Sequence, residues 1–181
     1  LRSPNASGYS WGIDSLDESS RLRSGKYMVV AARPSLGKTS LALQAATNVC
    51  TQGGRVVFVS LETDRETIYE DITSQIYELP AGYSNQELSE DQIGMVEWKL
   101  DSLAQKMEDE NWDLHILDNK QKFRNANNIR SQIRKLNREK KVDLVIIDHF
   151  HLLDHPSQYA RMDQNMGITS QTFQALAKDL D

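Results

Sequence analysis

The stretch Ala32-Arg33-Pro34-Ser35-Leu36-Gly37-Lys38-Thr39 decides how the rest of the chain is read. It follows the apolar run Tyr27-Met28-Val29-Val30-Ala31 and precedes Ser40-Leu41-Ala42-Leu43-Gln44-Ala45-Ala46, a helix-like segment. Strand, small-residue loop and helix in that order describe a phosphate-binding loop, whose backbone curls round an anion with its N–H groups directed inward at a helix N-terminus. Gly37 permits the close approach, the Lys38 ammonium reaches the β- and γ-phosphates, and the Thr39 hydroxyl enters the octahedral oxygen shell of a magnesium ion. Ala32 stands where the pattern G-x-x-x-x-G-K-[ST] has Gly, a departure of one methyl group. The candidate nucleotide-binding set is therefore Ala32, Arg33, Pro34, Ser35, Leu36, Gly37, Lys38, Thr39 and Ser40. An ordinary Gly-Lys turn is the competing reading, and the strand-loop-helix context disfavours it.

Working outward, the helix after the loop carries apolar residues at Leu41, Ala45 and Val49 and stops at Gly53-Gly54. Arg55-Val56-Val57-Phe58-Val59-Ser60-Leu61 is nearly continuous in apolar β-formers, the pattern of a strand covered on both faces. Thr63-Asp64 offers an N-cap for a helix through about Leu79, with Ile68, Ile72 and Ile76 on one stripe and Pro80 closing it. Ser89-Glu90-Asp91-Gln92 resembles a capping start to a long helix reaching about Glu110. A short strand at 114–117, a helix at 125–139, a strand at 142–147 and a last helix near 164–180 complete the series. Strands alternating with helices predict an α/β fold with a mainly parallel sheet and helices on both faces. Residues 1–12 read as a linker remnant, and the domain proper is expected over 13–181.

In such sheets ligands gather beyond the carboxyl ends of the strands. Three predicted strand ends carry what nucleotide hydrolysis needs: the loop after the first, Glu62 after the second, and Asp148 after Leu144-Val145-Ile146-Ile147. A fixed carboxylate at such an end holds magnesium through its water shell, which gives Asp148 its role beside Thr39. The attacking water also needs a base. Some ATPases place a Glu directly after the magnesium Asp, but that position here is His149, so Glu62 is the candidate base and Lys38 its catalytic partner at the phosphates. A solvent-facing acid at a helix start is the alternative account of Glu62.

Composition bounds the rest. The 181 residues are 39% hydrophobic and 26% charged, with a net charge of −5 and a pI of about 5.4. Nothing global marks a nucleic-acid binder, so any such contact is local. The lone Cys50 falls in an apolar helical pattern and reads as a buried thiol, which fits a reducing compartment. Without a leader-like segment or an 18-residue apolar run, the expectation is a soluble, cytoplasmic protein with no membrane contact.

Two further constellations carry weaker signals. His149-Phe150-His151-Leu152-Leu153-Asp154-His155 is similar to an H-x-H-x-D-H zinc motif, but its spacing is one residue too long, so ordinary loop histidines are favoured. Arg130, Arg134 and Arg138 stand at i, i+4 and i+8 and suit a phosphate-contacting stripe, yet a solvated helix face opposite Ile129 and Ile133 is the simpler reading.

Taken together, these motifs resemble the RecA-like motor domain of the DnaB-type replicative hexameric DNA helicases. The Ala31 to Thr39 stretch is similar to that family's phosphate loop, which habitually has Ala at the place of Ala32. Val59-Ser60-Leu61-Glu62 is similar to its second motif, whose Glu is taken as the base, and Ile146-Ile147-Asp148 to its magnesium motif. The resemblance implies ATP and Mg2+ as cofactors, single-stranded DNA as track, a homo-hexameric ring, and primase and a helicase loader as partners. The chain departs from the family at His149-Phe150-His151, where Tyr-Leu-Gln is usual, and at Ser170-Gln171, where Ser-Arg is common. The family's phosphate sensor, arginine finger and DNA-binding loops are expected beyond Asp181, so this chain alone is expected to bind Mg-ATP and hydrolyse it poorly. A RecA-like recombinase or clock-type ATPase is the nearest alternative, and a nucleotide-binding assembly module without useful turnover is another.

Overall fold

A run such as Arg55 to Ser60 can be apolar at every position only if both faces of its strand are covered, and the computed structural model, which describes residues 8–79, 88–118, 124–154 and 162–180, places it so. The elements are α1 (Asp14–Ser19), α2 (Lys38–Thr51), β1 (Arg55–Ser60), α3 (Arg65–Tyr77), α4 (Glu90–Asp109), β2 (Asp113–Asp118), α5 (Ala126–Glu139), β3 (Leu144–Asp148), a short 3-10 turn (Phe150–Leu152) and α6 (Met162–Asp179). The sheet is parallel in the order β2-β1-β3, with Ser60 level with both Asp118 and Asp148. Every β1 residue is buried. Val57 and Val59 face α5 and α6 together with Ile129, Ile133, Phe173 and Leu176, while Val56 and Phe58 face α2, α3 and α4 together with Leu43, Val49, Ile72 and Leu103. Each such side chain withdrawn from water contributes about 1.5–3 kcal/mol, so this central strand anchors both layers.

Local signals set the helix boundaries. Asp64 caps α3 by accepting from the Thr67 N–H, and Ser89 with Gln92 forms a full capping box on α4. α2 begins at Lys38, two residues before the predicted start, because Gly37 takes a left-handed conformation (φ 78°) and ends the loop there. Pro80, expected to close α3, lies outside the described residues; within them the helix ends at Tyr77, with Glu78 left-handed.

Two segments differ from expectation. Residues 27–31 were predicted to form a strand feeding the loop, yet they join no ladder. Met28, Val29 and Val30 are exposed, and a cleft of about 480 Å3 separates the segment from β3. β-propensity becomes a strand only where a partner ladder is engaged. Here the run is held from α6, the Ser170 hydroxyl donating to the Tyr27 hydroxyl at 3.1 Å. Residues 8–12, at the end of the stretch read as a linker remnant, pack against α2: Trp11 is buried, and Asn48 Nδ2 donates to the Ser10 carbonyl at 2.8 Å.

The amino edge of the sheet is closed by one side chain. Arg55 Nη1 donates to the Leu136 and Lys140 carbonyls at 3.1 and 2.9 Å, serving the end of α5 whose last carbonyls lack helical partners. Its Nε stands 3.3 Å from Asp113 Oδ1, and its Nη2 stands 3.0 Å from His115 Nε2. Asp113 in turn accepts from the Lys140 ammonium at 2.6 Å.

Candidate functional site

The stretch expected to bind phosphate forms an open loop that leads directly into α2. Residues 32–37 are exposed, Ser35 and Gly37 have positive φ (61° and 78°), and α2 follows without a break. A Cβ on Gly37 would meet only Ser40 Cβ at 4.0 Å, so the demand for glycine is conformational rather than steric. No side chain caps α2, and its first turn contains no acid. The first-turn N–H groups and the positive end of the helix dipole thus face the loop unopposed. The Lys38 ammonium lies across the loop, donating to the Arg33 carbonyl at 3.1 Å. Gln75 ties the same helix end to α3 by donating to the Ser40 carbonyl at 2.9 Å.

The fold brings Thr39 and Asp148 together across 109 positions of sequence: the Thr39 hydroxyl donates to Asp148 Oδ2 at 2.7 Å. Asp148 ends β3, has 15% of its side chain exposed, and offers its backbone carbonyl to the Leu61 N–H at 2.6 Å, which fastens the ends of β1 and β3. A hydroxyl and a carboxylate at this separation suit a small hard cation that keeps water and phosphate oxygens for its remaining positions. These residues fit magnesium.

Glu62 stands on the turn between β1 and α3. That turn is pinned by Ser60, whose hydroxyl accepts from the Thr63 N–H at 3.1 Å and donates to the Thr63 carbonyl at 2.5 Å. The Glu62 side chain is 61% exposed, and its Oε2 lies 2.8 Å from His149 Nδ1. That approach is off the line of a hydrogen bond, for Nδ1 is buried and has no hydrogen-bond partner.

One strand-end acid escaped the sequence analysis. Asp118 closes β2, is 4% exposed, and accepts from the Arg65 N–H at 3.2 Å, holding the start of α3 beside Glu62. The signal was present: Leu114-His115-Ile116-Leu117-Asp118 is another largely apolar strand ending in Asp, like the one at Asp148. Among the described residues no group of three or more His, Cys, Asp or Glu is arranged to hold a metal ion. His149 and His151 meet edge to face, their centroids 5.6 Å apart, His115 sits at the opposite edge of the sheet, and His155 lies outside the described residues. On α5, Arg134 pairs with Asp179 of α6 at 2.8 Å, and Arg138 Nε donates to the Arg134 carbonyl at 3.4 Å. No helix among the described residues is long and apolar enough to cross a membrane.

Comparison with known proteins points one way. The family model for the DnaB-like helicase C-terminal domain matches residues 8–181. A probable plasmid replicative DNA helicase of Chlamydia muridarum is 33% identical over 169 residues, covering 88% of this chain and 34% of that protein. The replicative DNA helicase DnaB of Buchnera aphidicola is 26% identical over 184 residues, covering 98% of this chain and 38% of that protein. The chain thus spans about a third of the length of these curated relatives. Among solved structures, a DnaB-like replicative helicase described with its primase interactions superposes with a TM-score of 0.78 at 21% identity, covering 99% of this chain and 43% of that one. A second solved structure, of an ATPase domain, superposes with a TM-score of 0.77 at 22% identity, covering 99% of this chain and 63% of that one. The chain shares the fold of these two solved structures.

Proposed function

We propose that this chain, which belongs to the DnaB-like helicase C-terminal domain family, is the ATPase motor of a replicative helicase. It binds Mg-ATP and hydrolyses it to drive translocation on single-stranded DNA and unwinding of the duplex. The observation that carries this reading is the Thr39–Asp148 hydrogen bond at 2.7 Å, which sets a phosphate loop against a strand-end carboxylate. In the whole protein the motor works as a homo-hexameric ring in the cytoplasm, with primase and a helicase loader as partners.

The residues divide the work by their chemistry. The N–H groups at the start of α2 and the loop backbone from Ala32 to Gly37 receive phosphate oxygens, with Arg33, Pro34, Ser35 and Leu36 shaping the loop and Ser40 continuing the helix. Lys38 releases the Arg33 carbonyl and places its charge on the β- and γ-phosphates. Thr39 and Asp148 hold magnesium, which when bound neutralises phosphate charge as the terminal phosphoryl group departs. Glu62 orients the attacking water and takes its proton. An Arg from a neighbouring subunit completes the site, a contribution of about 10³ to 10⁵ in rate, so the isolated chain turns over slowly.

Steady-state ATP hydrolysis by Glu62→Gln tests this. Its rate falls about 10² to 10³-fold while Mg-ATP binding stays within a few-fold of the parent. Equal turnover in the two proteins contradicts the assignment of Glu62 and favours an assembly module that binds nucleotide without using it.

A further inference from the structure

Of the acids at the carboxyl edge, Glu62 is the least held. Asp118 is buried and receives a backbone N–H, and Asp148 receives the Thr39 hydroxyl. Glu62 projects from a turn with 61% of its side chain exposed, and the group at its carboxylate is the imidazole of His149. That ring is held by packing rather than by a hydrogen bond at Nδ1. Its side chain is 21% exposed, its Nδ1 is 3.4 Å from Asp148 Oδ1, and it meets the His151 ring nearly at right angles (83°). The backbone beneath it is fixed too, since the His149 carbonyl accepts from the Leu152 N–H at 3.0 Å and opens the 3-10 turn.

We propose that His149 is the positioning residue for Glu62: its Nδ1 holds the carboxylate, and because His149 directly follows Asp148, base and magnesium ligand share one stretch of backbone as support. The proposal rests on the reading of Glu62 as the base. A neutral imidazole carrying its proton on Nδ1 suffices, donating to Glu62 without a formal charge. The 2.8 Å separation already equals that of a hydrogen bond. Rotation about the solvent-exposed torsions of Glu62 brings its oxygen onto the N–H direction. The buried, unpartnered Nδ1 otherwise leaves a polar atom unsatisfied, which a fold tolerates where the atom has work to do. A base left to swing in solvent loses the near-attack geometry that hydrolysis needs, and misplacement by about 1 Å costs up to about 10²-fold in rate.

Three substitutions in the full chain test this, read as kcat and KM for ATP hydrolysis beside the Glu62→Gln control. His149→Phe keeps a ring and removes the donor, and its kcat falls about 10 to 10²-fold with KM within about twofold. His149→Asn sets an amide N–H near the place of Nδ1 and recovers kcat to within about threefold of the parent, whereas His149→Gln, whose amide reaches the place of Nε2, does not. A structural role alone predicts equal losses in Asn and Gln variants, tracking their melting temperatures. If His149→Phe hydrolyses ATP as fast as the parent or faster, or if His149→Asn falls with it, the proposal is overturned while the assignment of Glu62 stands. Should Glu62→Gln itself hydrolyse normally, the base assignment falls and takes this proposal with it.

Discussion

Arg55 opens β1 and Glu62 follows its end, yet the guanidinium side chain is 6% exposed and the carboxylate side chain 61%. At the amino edge each charge is answered: Arg55 by the α5 carbonyls, His115 and Asp113, and Asp113 again by Lys140. At the carboxyl edge capacity is left over. The first-turn N–H groups of α2 are uncapped, Lys38 rests on a backbone carbonyl, and His149 Nδ1 has no hydrogen bond. The ends differ in what they leave unmet: one edge is closed by ion pairs and carbonyl contacts, and the other keeps uncapped donors, which the proposed function assigns to a nucleotide.

Substitutions at one edge at a time separate the two roles. Asp148→Asn keeps an oxygen for the Thr39 hydroxyl but removes the charge that the proposed function assigns to magnesium. ATP hydrolysis should fall about 10³-fold, while the unfolding free energy from urea titration stays within about 1 kcal/mol of the parent. A large loss of stability would mean that the carboxyl edge also holds the fold together. Arg55→Met should do the reverse. It takes one partner from Asp113, which keeps Lys140, and leaves two carbonyls at the end of α5 without a donor, costing about 3 kcal/mol in urea unfolding, with Mg-ATP affinity unchanged in the folded fraction.

Asp113 gives a smaller and pH-dependent effect. Burial pushes its carboxyl up, but hydrogen bonds from Lys140 and His115 and the charges of Arg55 and Lys140 outweigh it and hold the group below its ordinary 3.8. A depressed pKa stabilises the fold above the ordinary value, and that contribution is lost as pH falls through the folded one. Asp113→Asn should therefore be about 1–2 kcal/mol less stable at pH 7, with the gap to the parent closing below about pH 4. A constant gap across that range refutes the ion-pair account. Smallest of all is the effect at Cys50, whose thiol is pushed up to about 12 by burial and by the Asp113 charge. Iodoacetamide at pH 8 should leave it unmodified in the folded chain and label it readily in urea.

How much of this was legible follows the same division. β1, the Asp64 cap and the Ser89–Gln92 box were readable because each rests on a local pattern: continuous burial, or a capping side chain within three residues of its target. The loop at 32–39 and the strand end at Asp148 stood out as motifs, and the fold supplied what a motif omits, the 2.7 Å contact between Thr39 and Asp148. Residues 27–31 were misjudged because their composition is that of a strand while their pairing depends on a partner edge, which composition does not record. α1 was missed because it is short, with no apolar stripe and no side-chain cap. His149 was noted as displacing an acid, as part of a mis-spaced zinc motif and as a departure from the family's usual Tyr, but nothing in its spacing tells that its ring meets Glu62 from another strand end.

The most direct test of the account is calorimetric titration of Mg-ATP into the chain, run beside Lys38→Ala. The account predicts saturable one-to-one binding by the parent, and an affinity at least about 10²-fold weaker in the variant, whose melting temperature is unchanged because Lys38 makes one hydrogen bond at the surface of the loop. Equal affinity in the two proteins, with both folded, would contradict it, since the carboxyl edge would then owe its nucleotide binding to something other than this loop.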